Sequence, residues 1–236
     1  MFGFFSGKAS LQDSELLKGV TDNHSHILYG VDDGVRTKEE ALSVLSFMEK
    51  EGVKKVWCTP HFMEDVRNTT EDIRARFGQL KSEWTGGVEL ELASENMLDN
   101  LFKERWKTRD FLFHGEGRLL VETSTWAPPM DFWDIMDSIA VAGYTPIIAH
   151  PERYRYMKME DYRRMADMGV EFQLNLPSIL GVYGDETAKK AEAILEKGWY
   201  TMAGTDCHRF RALESQVSCK ILSKGTVARL HSLLSR

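Results

Sequence analysis

Residues 21–34 read TDNHSHILYGVDDG: two histidines one residue apart, then Asp32, Asp33 and Gly34. The whole chain holds seven histidines, so two of them in one short stretch is a concentration that needs a reason. Along an extended strand, residues i and i+2 point to the same side, so His24 and His26 can grip one ion together. Asp-Asp-Gly taken alone is an ordinary turn, since Asp and Gly both favour one. Only one of the two aspartates need be functional.

Outward from this stretch, short β-branched and apolar runs alternate with longer amphipathic segments, the pattern of repeated βα units around a parallel sheet. Seven runs read as strands: 19–23, 53–59, 88–94, 118–123, 145–150, 170–175 and 199–205. Between them, 37–52, 70–84, 131–143, 159–169 and 185–198 mix apolar and charged residues at helical spacing. Four of these segments end near Gly52, Gly143, Gly169 and Gly198, where a left-handed C-cap favours glycine. With 236 residues and 42% hydrophobic content, the chain can bury a full core as one domain over 1–236. Residues 1–18 read as an N-terminal extension.

The polar residues at the strand ends carry the functional signal. His24, His26 and Asp33 follow the first run, His61 the second, Glu95 the third, Glu122 the fourth, His150 the fifth, and Asp206 and His208 the last. In a βα barrel that rim is where the chemistry is placed. Any one of these histidines alone is an ordinary hydrogen-bonded residue. Together, five imidazoles and four carboxylates on one rim exceed what one ion needs and suit two or three divalent ions with bridging carboxylates. Apolar runs precede Glu122 and His150, and leaving such groups desolvated without a partner is costly.

Other classes lack support. The net charge of −6 offers no basic footprint for nucleic acid. Three widely spaced cysteines, Cys58, Cys207 and Cys219, make no disulfide framework and fit a reducing cytoplasm. The start, MFGFFSGKAS, is neither a signal peptide nor a membrane span; Phe2, Phe4 and Phe5 read first as docking on the domain itself, with contact to a partner or a membrane surface as the alternative. A cysteine phosphatase needs Arg six residues after its Cys, and those positions are Glu64, Leu213 and Gly225. GxSxG, GxGxxG and GxxxxGK are absent from the sequence.

The stretches DNHSHILYGVDDG, CTPHF, ASENMLD, LLVET, PIIAHPERYRY, QLNLPSILGVYG and AGTDCH, in this order, resemble the polymerase and histidinol phosphatase (PHP) superfamily. Within it, they resemble the bacterial metal-dependent protein-tyrosine phosphatases encoded with capsule and exopolysaccharide genes. The resemblance spans nearly the whole chain and implies an α/β fold, a distorted (β/α)7 TIM-like barrel. It implies three divalent ions, manganese first, with iron, zinc or magnesium as alternatives. His24, His26, Glu95 and Asp206 would hold one, Glu95, Glu122 and His150 the second, and Asp33, His61 and His208 the third. Catalytic roles fall on Arg153, Asp33 and His208, with Arg153 as the phosphate clamp, a fork suited to that anion. Many relatives carry Arg-Pro after the closing DxH; here the chain reads HRFRALES, so Arg209 and Arg211 both stand as second phosphate contacts. Asn96 stands where a bulkier neighbour of Glu95 is expected.

The implied reaction is phosphomonoester hydrolysis by metal-activated water with no covalent enzyme intermediate, and the implied partner is a membrane-associated bacterial tyrosine kinase of polysaccharide export. A small-molecule phosphatase acting on histidinol phosphate would use the same metals in a closed pocket. A TatD-like or amidohydrolase enzyme also begins with HxH, but typically closes on a single Asp. The two remaining histidines, His114 and His231, read as surface or loop residues, with the edge of the site's mouth as the alternative for His114.

Overall fold

A computed structural model describes residues 7–235, so Phe2, Phe4 and Phe5 lie outside the described residues. Among these residues are nine strands: β1 (Thr21–Ser25), β2 (Lys55–Cys58), β3 (His61–Phe62), β4 (Glu89–Leu92), β5 (Glu95–Met97), β6 (Arg118–Glu122), β7 (Thr145–Ala149), β8 (Glu171–Asn175) and β9 (Tyr200–Gly204). They form two sheets, ordered β1-β2-β4 and β3-β5-β6-β7-β8-β9, and every paired neighbour is parallel.

Two of the expected runs, 53–59 and 88–94, hold one strand each, β2 and β4, and each is followed by a further short strand that the sequence did not indicate: β3 after Thr59-Pro60 and β5 after Ala93-Ser94. Proline has no N–H to give the ladder, which ends regular pairing there. Its carbonyl accepts from Glu95 N at 3.1 Å, and Ala93 N donates to Cys58 O at 2.9 Å, so the breaks fall side by side and are bridged. His61 and Glu95 therefore begin strands of the second sheet; they do not trail the ends of the first. At the other side, Asp206 N donates to His24 O at 2.8 Å and His26 N to Cys207 O at 3.0 Å, joining the chain beyond β1 and β9 through a Ser25–Cys207 parallel bridge.

The helices follow local rules. In helix Lys38–Lys50 the N-cap Thr37 accepts from Glu40 N, the ordinary hydroxyl cap. Its buried residues Ala41, Val44, Leu45 and Met48 recur at the spacing of one helical face. Three shorter helices, Asn100–Thr108, Phe210–Val217 and Lys224–Leu234, were not foreseen. Each is about three turns or fewer, too short for periodicity to stand out. The described part of the N-terminal stretch packs on the domain: Leu11, Leu16 and Leu17 are buried in the main core, and Ala9 pairs antiparallel with Leu222.

His114 is no surface residue. It is fully buried, its ring stacks on Trp57 at 4.0 Å, and its Nε2 donates to Asn23 O at 3.2 Å. Burial first, and then the Arg118 charge, hold its pKa down at about 3. The folded protein thus keeps His114 neutral, while the unfolded chain takes up a proton below the ordinary value of about 6.5. The stability this residue contributes is present above that pH and lost as pH falls towards 3. Urea unfolding at pH 7 and pH 5 should show the wild type losing on the order of 1–2 kcal/mol more than His114→Gln over that interval; equal losses would refute the assignment.

Candidate metal centre

Strand ends and close backbone contacts build the site. His24 lies in β1 and His26 one residue past it, with their Nε2 atoms 3.0 Å apart. Two glycines let the chain press against them: a Cβ on Gly34 would fall 2.2 Å from His26 O, and one on Gly204 would fall 2.4 Å from His24 Cβ. Two other candidate ligands, His150 (φ 35°) and Asp206 (φ 51°), adopt the left-handed conformation, a cost that concentrates at functional sites.

Glu95 stands at the centre and is wholly buried. Its Oε2 lies 3.2 Å from the Nε2 of both His24 and His26 and 3.1 Å from His61 Nδ1, while its Oε1 lies 3.0 Å from His150 Nε2. Glu122 reaches His61 Nδ1 at 3.1 Å and His150 Nε2 at 3.5 Å. Asp206 Oδ1 lies 3.4 Å from His26 Nε2 and 3.6 Å from His24 Nε2. Asp33 Oδ1 lies 3.4 Å from His208 Nε2 and 3.6 Å from His61 Nε2. All nine candidate ligands thus meet in one cluster. Three sets have ligand atoms mutually within 4.8 Å: His26, Asp33, His61 and His208; His24, His26 and Asp206; and His61, Glu95 and Glu122. His61 and His26 each fall in two of these sets, a sharing that the sequence did not indicate.

The donor set fits divalent cations. Glu95 Oε2, Glu122 Oε1 and the Nδ1 atoms of His61 and His150 are buried without a hydrogen-bond partner, and orphaned polar atoms of this kind are expensive unless a cation completes them. Burial by itself disfavours charge on all these groups. The carboxylates overcome it on the imidazoles: Glu95 and Asp206 lift His24 to about 9, and Asp206 with Asp32 lifts His26 well above its usual range. In return the histidines hold Glu95 and Asp206 far below the ordinary carboxylate range. His208 goes the other way, lowered by burial and by His26. The field that keeps protons on these imidazoles favours metal cations in their place, so metal uptake should release protons and strengthen as pH rises.

A supporting shell went unread in the sequence. Asp32 Oδ2 holds His26 Nδ1 at 2.8 Å and accepts from His61 N at 3.1 Å, with its other oxygen accepting from Gly34 N at 2.9 Å. These bonds draw Asp32 down to about 2 against the cost of burial. Gln173 Oε1 meets His24 Nδ1 at 2.5 Å, and Asn175 Nδ2 donates to Asp206 Oδ2 at 2.8 Å. Gln173 and Asn175 share one side of β8 by alternation, and β8 is the strand to which no ligand had been assigned. That vacancy, filled by two amides two residues apart, was the available signal.

Arg153 Nη1 donates to Asp206 Oδ2 at 3.1 Å, which leaves Oδ1 to face the imidazoles. Arg209 borders the cavity over the cluster, but its Nη1 donates to the carbonyls of Asp33 at 2.7 Å, His208 at 2.6 Å and Gly34, clamping the Asp-Asp-Gly loop. Arg211 instead lines a separate groove with Glu39, Glu40 and Ser43, two residues along the helix that turns it away. Asn96 does not shape the cavity: it points opposite to Glu95 and accepts from Arg105 Nη1 at 2.7 Å.

With that geometry in place, comparison with known proteins is direct. The family model for capsular polysaccharide synthesis, CpsB/CapC, matches residues 20–223. Tyrosine-protein phosphatase CpsB of Streptococcus agalactiae is 29% identical over 206 residues, 79% of this chain and 82% of its own. Tyrosine-protein phosphatase YwqE of Bacillus subtilis is 22% identical, covering 91% and 88%. Among solved structures, one from the pair YwqE of B. subtilis and CpsB of Streptococcus pneumoniae, described as metal-dependent tyrosine phosphatases, superimposes with a TM-score of 0.81 at 20% identity over 91% of both chains. That likeness is one of fold.

Asp32 sets the tautomer and aim of His26, and partners of this kind typically carry 10- to 100-fold in metal affinity. Asp32→Asn should weaken manganese binding by about that factor in a calorimetric titration while keeping the wild-type circular dichroism spectrum. Undiminished affinity would show that Asp32 only shapes the turn.

Proposed function

The chain belongs to the CpsB/CapC family of capsular polysaccharide synthesis, and on that premise we propose that it is a metal-dependent phosphatase of phosphotyrosine in proteins. The observation that carries this reading is the buried cluster of Glu95, Glu122, His61 and His150 with orphaned buried atoms, standing beside a forked cation, Arg153. The tyrosine-phosphatase names of the relatives support the substrate class.

We assign three divalent ions, manganese first, to the sets His24, His26, Glu95 and Asp206; Glu95, Glu122 and His150; and Asp33, His61 and His208, with Glu95 shared. Such ions, when bound, make water nucleophilic at neutral pH and offset the phosphate charge. The side chains do the rest. Arg153, anchored on Asp206 through Nη1, turns its remaining donors to the phosphoryl oxygens and aligns the ester. Asn175 and Gln173 keep Asp206 and His24 from rotating out of place. Asp33, whose side chain is 70% exposed, and the partly exposed His208 face the mouth, where a proton reaches the leaving oxygen. A tyrosine phenolate, with a pKa of about 10 as the free side chain, needs little help to depart.

We further read the two sheets as arcs of one distorted (β/α)7 barrel, counting β2 with β3 and β4 with β5 as single broken strands. This barrel would be one domain, in a cytoplasmic protein. The partner we assign is a membrane-associated bacterial tyrosine kinase. Among the described residues, no helix is long and apolar enough to cross a membrane.

The test is hydrolysis of a phosphotyrosine peptide beside histidinol phosphate by metal-stripped protein, with and without manganese. Manganese should restore activity, with preference for the peptide; a preference for histidinol phosphate would move the enzyme to small molecules, and no activity with any divalent ion would sink the phosphatase reading. Arg153→Ala should cut peptide kcat by about 100-fold or more, the usual loss for one donor to a developing charge.

A further inference from the structure

The cavity over the ligand cluster holds about 360 Å3. Its walls are not all polar: Met63, Met97, Pro177, Ala212 and Tyr183 also line it. Tyr183 is the one Phe, Tyr or Trp among those lining residues, and it belongs to none of the candidate ligand sets. Gly181 and Gly184, at φ 78° and 90°, bracket it in the loop after helix Leu176–Ile179, conformations that suit glycine.

Its ring is held in place by the phosphate clamp. The Arg153 guanidinium carbon lies 4.4 Å from the Tyr183 ring centroid, while Nη1 of the same planar group is fixed on Asp206 at 3.1 Å. A rigid fork thus ties the ring to the metal centre. Tyr183 remains 41% exposed, so Arg153 covers only part of it and the rest stays open. Together with Arg153 it also borders a second cavity beside Arg155 and Lys190, so the stacked pair separates the two.

We propose that Tyr183 is the residue that makes this site select aryl over alkyl phosphomonoesters, its open ring surface packing on the phenyl ring of the substrate. The inference rests on the phosphatase reading above and deepens it. In an aryl phosphate a single oxygen joins ring to phosphorus. With phosphoryl oxygens on the free donors of Arg153, the phenyl ring can turn onto Tyr183, at the 4.5–7 Å where aromatic pairs interact favourably. An alkyl ester placed the same way offers no ring face, and Tyr183 gives it only weak apolar contact.

The test uses phenylphosphonate and methylphosphonate, which cannot be hydrolysed, titrated calorimetrically into manganese-loaded wild type, Tyr183→Phe and Tyr183→Leu. Any slackening of Arg153 in a variant weakens both phosphonates alike, so the affinity ratio isolates the ring. The wild type should prefer phenylphosphonate by about three- to tenfold, Tyr183→Phe should keep that preference, and Tyr183→Leu should bring it to within about twofold of parity. Hydrolysis of phenyl phosphate and glycerol 2-phosphate by the same proteins should shift in parallel. An unchanged ratio in Tyr183→Leu, or equal binding of both phosphonates by a wild type that still hydrolyses phosphate esters, overturns the Tyr183 assignment alone. A wild type that binds neither phosphonate and hydrolyses neither ester overturns the phosphatase reading with it.

Discussion

One carboxylate holds this site together. Glu95 is wholly buried and touches four imidazoles from three separate parts of the chain, those of His24 and His26, of His61 and of His150. An anion in that position is tolerable only if positive charge surrounds it, from protons on the histidines or from metal ions. The ends of β1, β3 and β7 converge on β5 around that requirement. The two breaks in the sheet serve it as well, since Pro60 and Ala93-Ser94 restart the chain so that His61 and Glu95 open paired strands, in register with each other.

Around this centre, three of the candidate ligands are aimed by neighbours that are no ligands themselves. His26 leans on Asp32, His24 on Gln173, and Asp206 on both Asn175 and Arg153. Fixing the far nitrogen of an imidazole settles its tautomer and presents the near nitrogen to the centre. Arg153 has a second role because it is rigid and planar: one arm steadies a ligand and its face carries Tyr183, so ligand geometry and the wall of the cavity are mechanically linked. The left-handed backbone at His150 and Asp206 is the strain that this network holds in place.

The same constraint explains the glycines that matter. At Gly34 and Gly204 any side chain would collide with His26 or His24, because the Asp-Asp-Gly loop and β9 must lie directly on the two histidines. Arg209 closes the arrangement from outside by bonding three consecutive features of the rim: the carbonyls of Asp33, Gly34 and His208. Its Nη1 organises the loop, whereas Arg211 lines a groove beside Glu39, Glu40 and Ser43, on the helix that begins at Phe210.

The sequence by itself determined the alternation of strands and helices, the parallel sheets, and the nine residues that meet at the centre. It could do so because strand periodicity is local and because metal-competent side chains at successive strand ends are rare by chance. It was silent on Asp32 as against Asp33, on Gln173 and Asn175, on the burial of His114, on the short strands β3 and β5, and on what Arg209 and Arg211 each touch. Each of those depends on where a side chain points after distant segments have packed. Asp32 and Asp33 are chemically identical neighbours, and only the approach of Gly34 to His26 turns one inward and leaves the other facing water. His114 does lie in a loop, but Trp57 and the Asn23 carbonyl close over it. Side-chain direction is a property of tertiary contact, and that is the part only the folded structure decided.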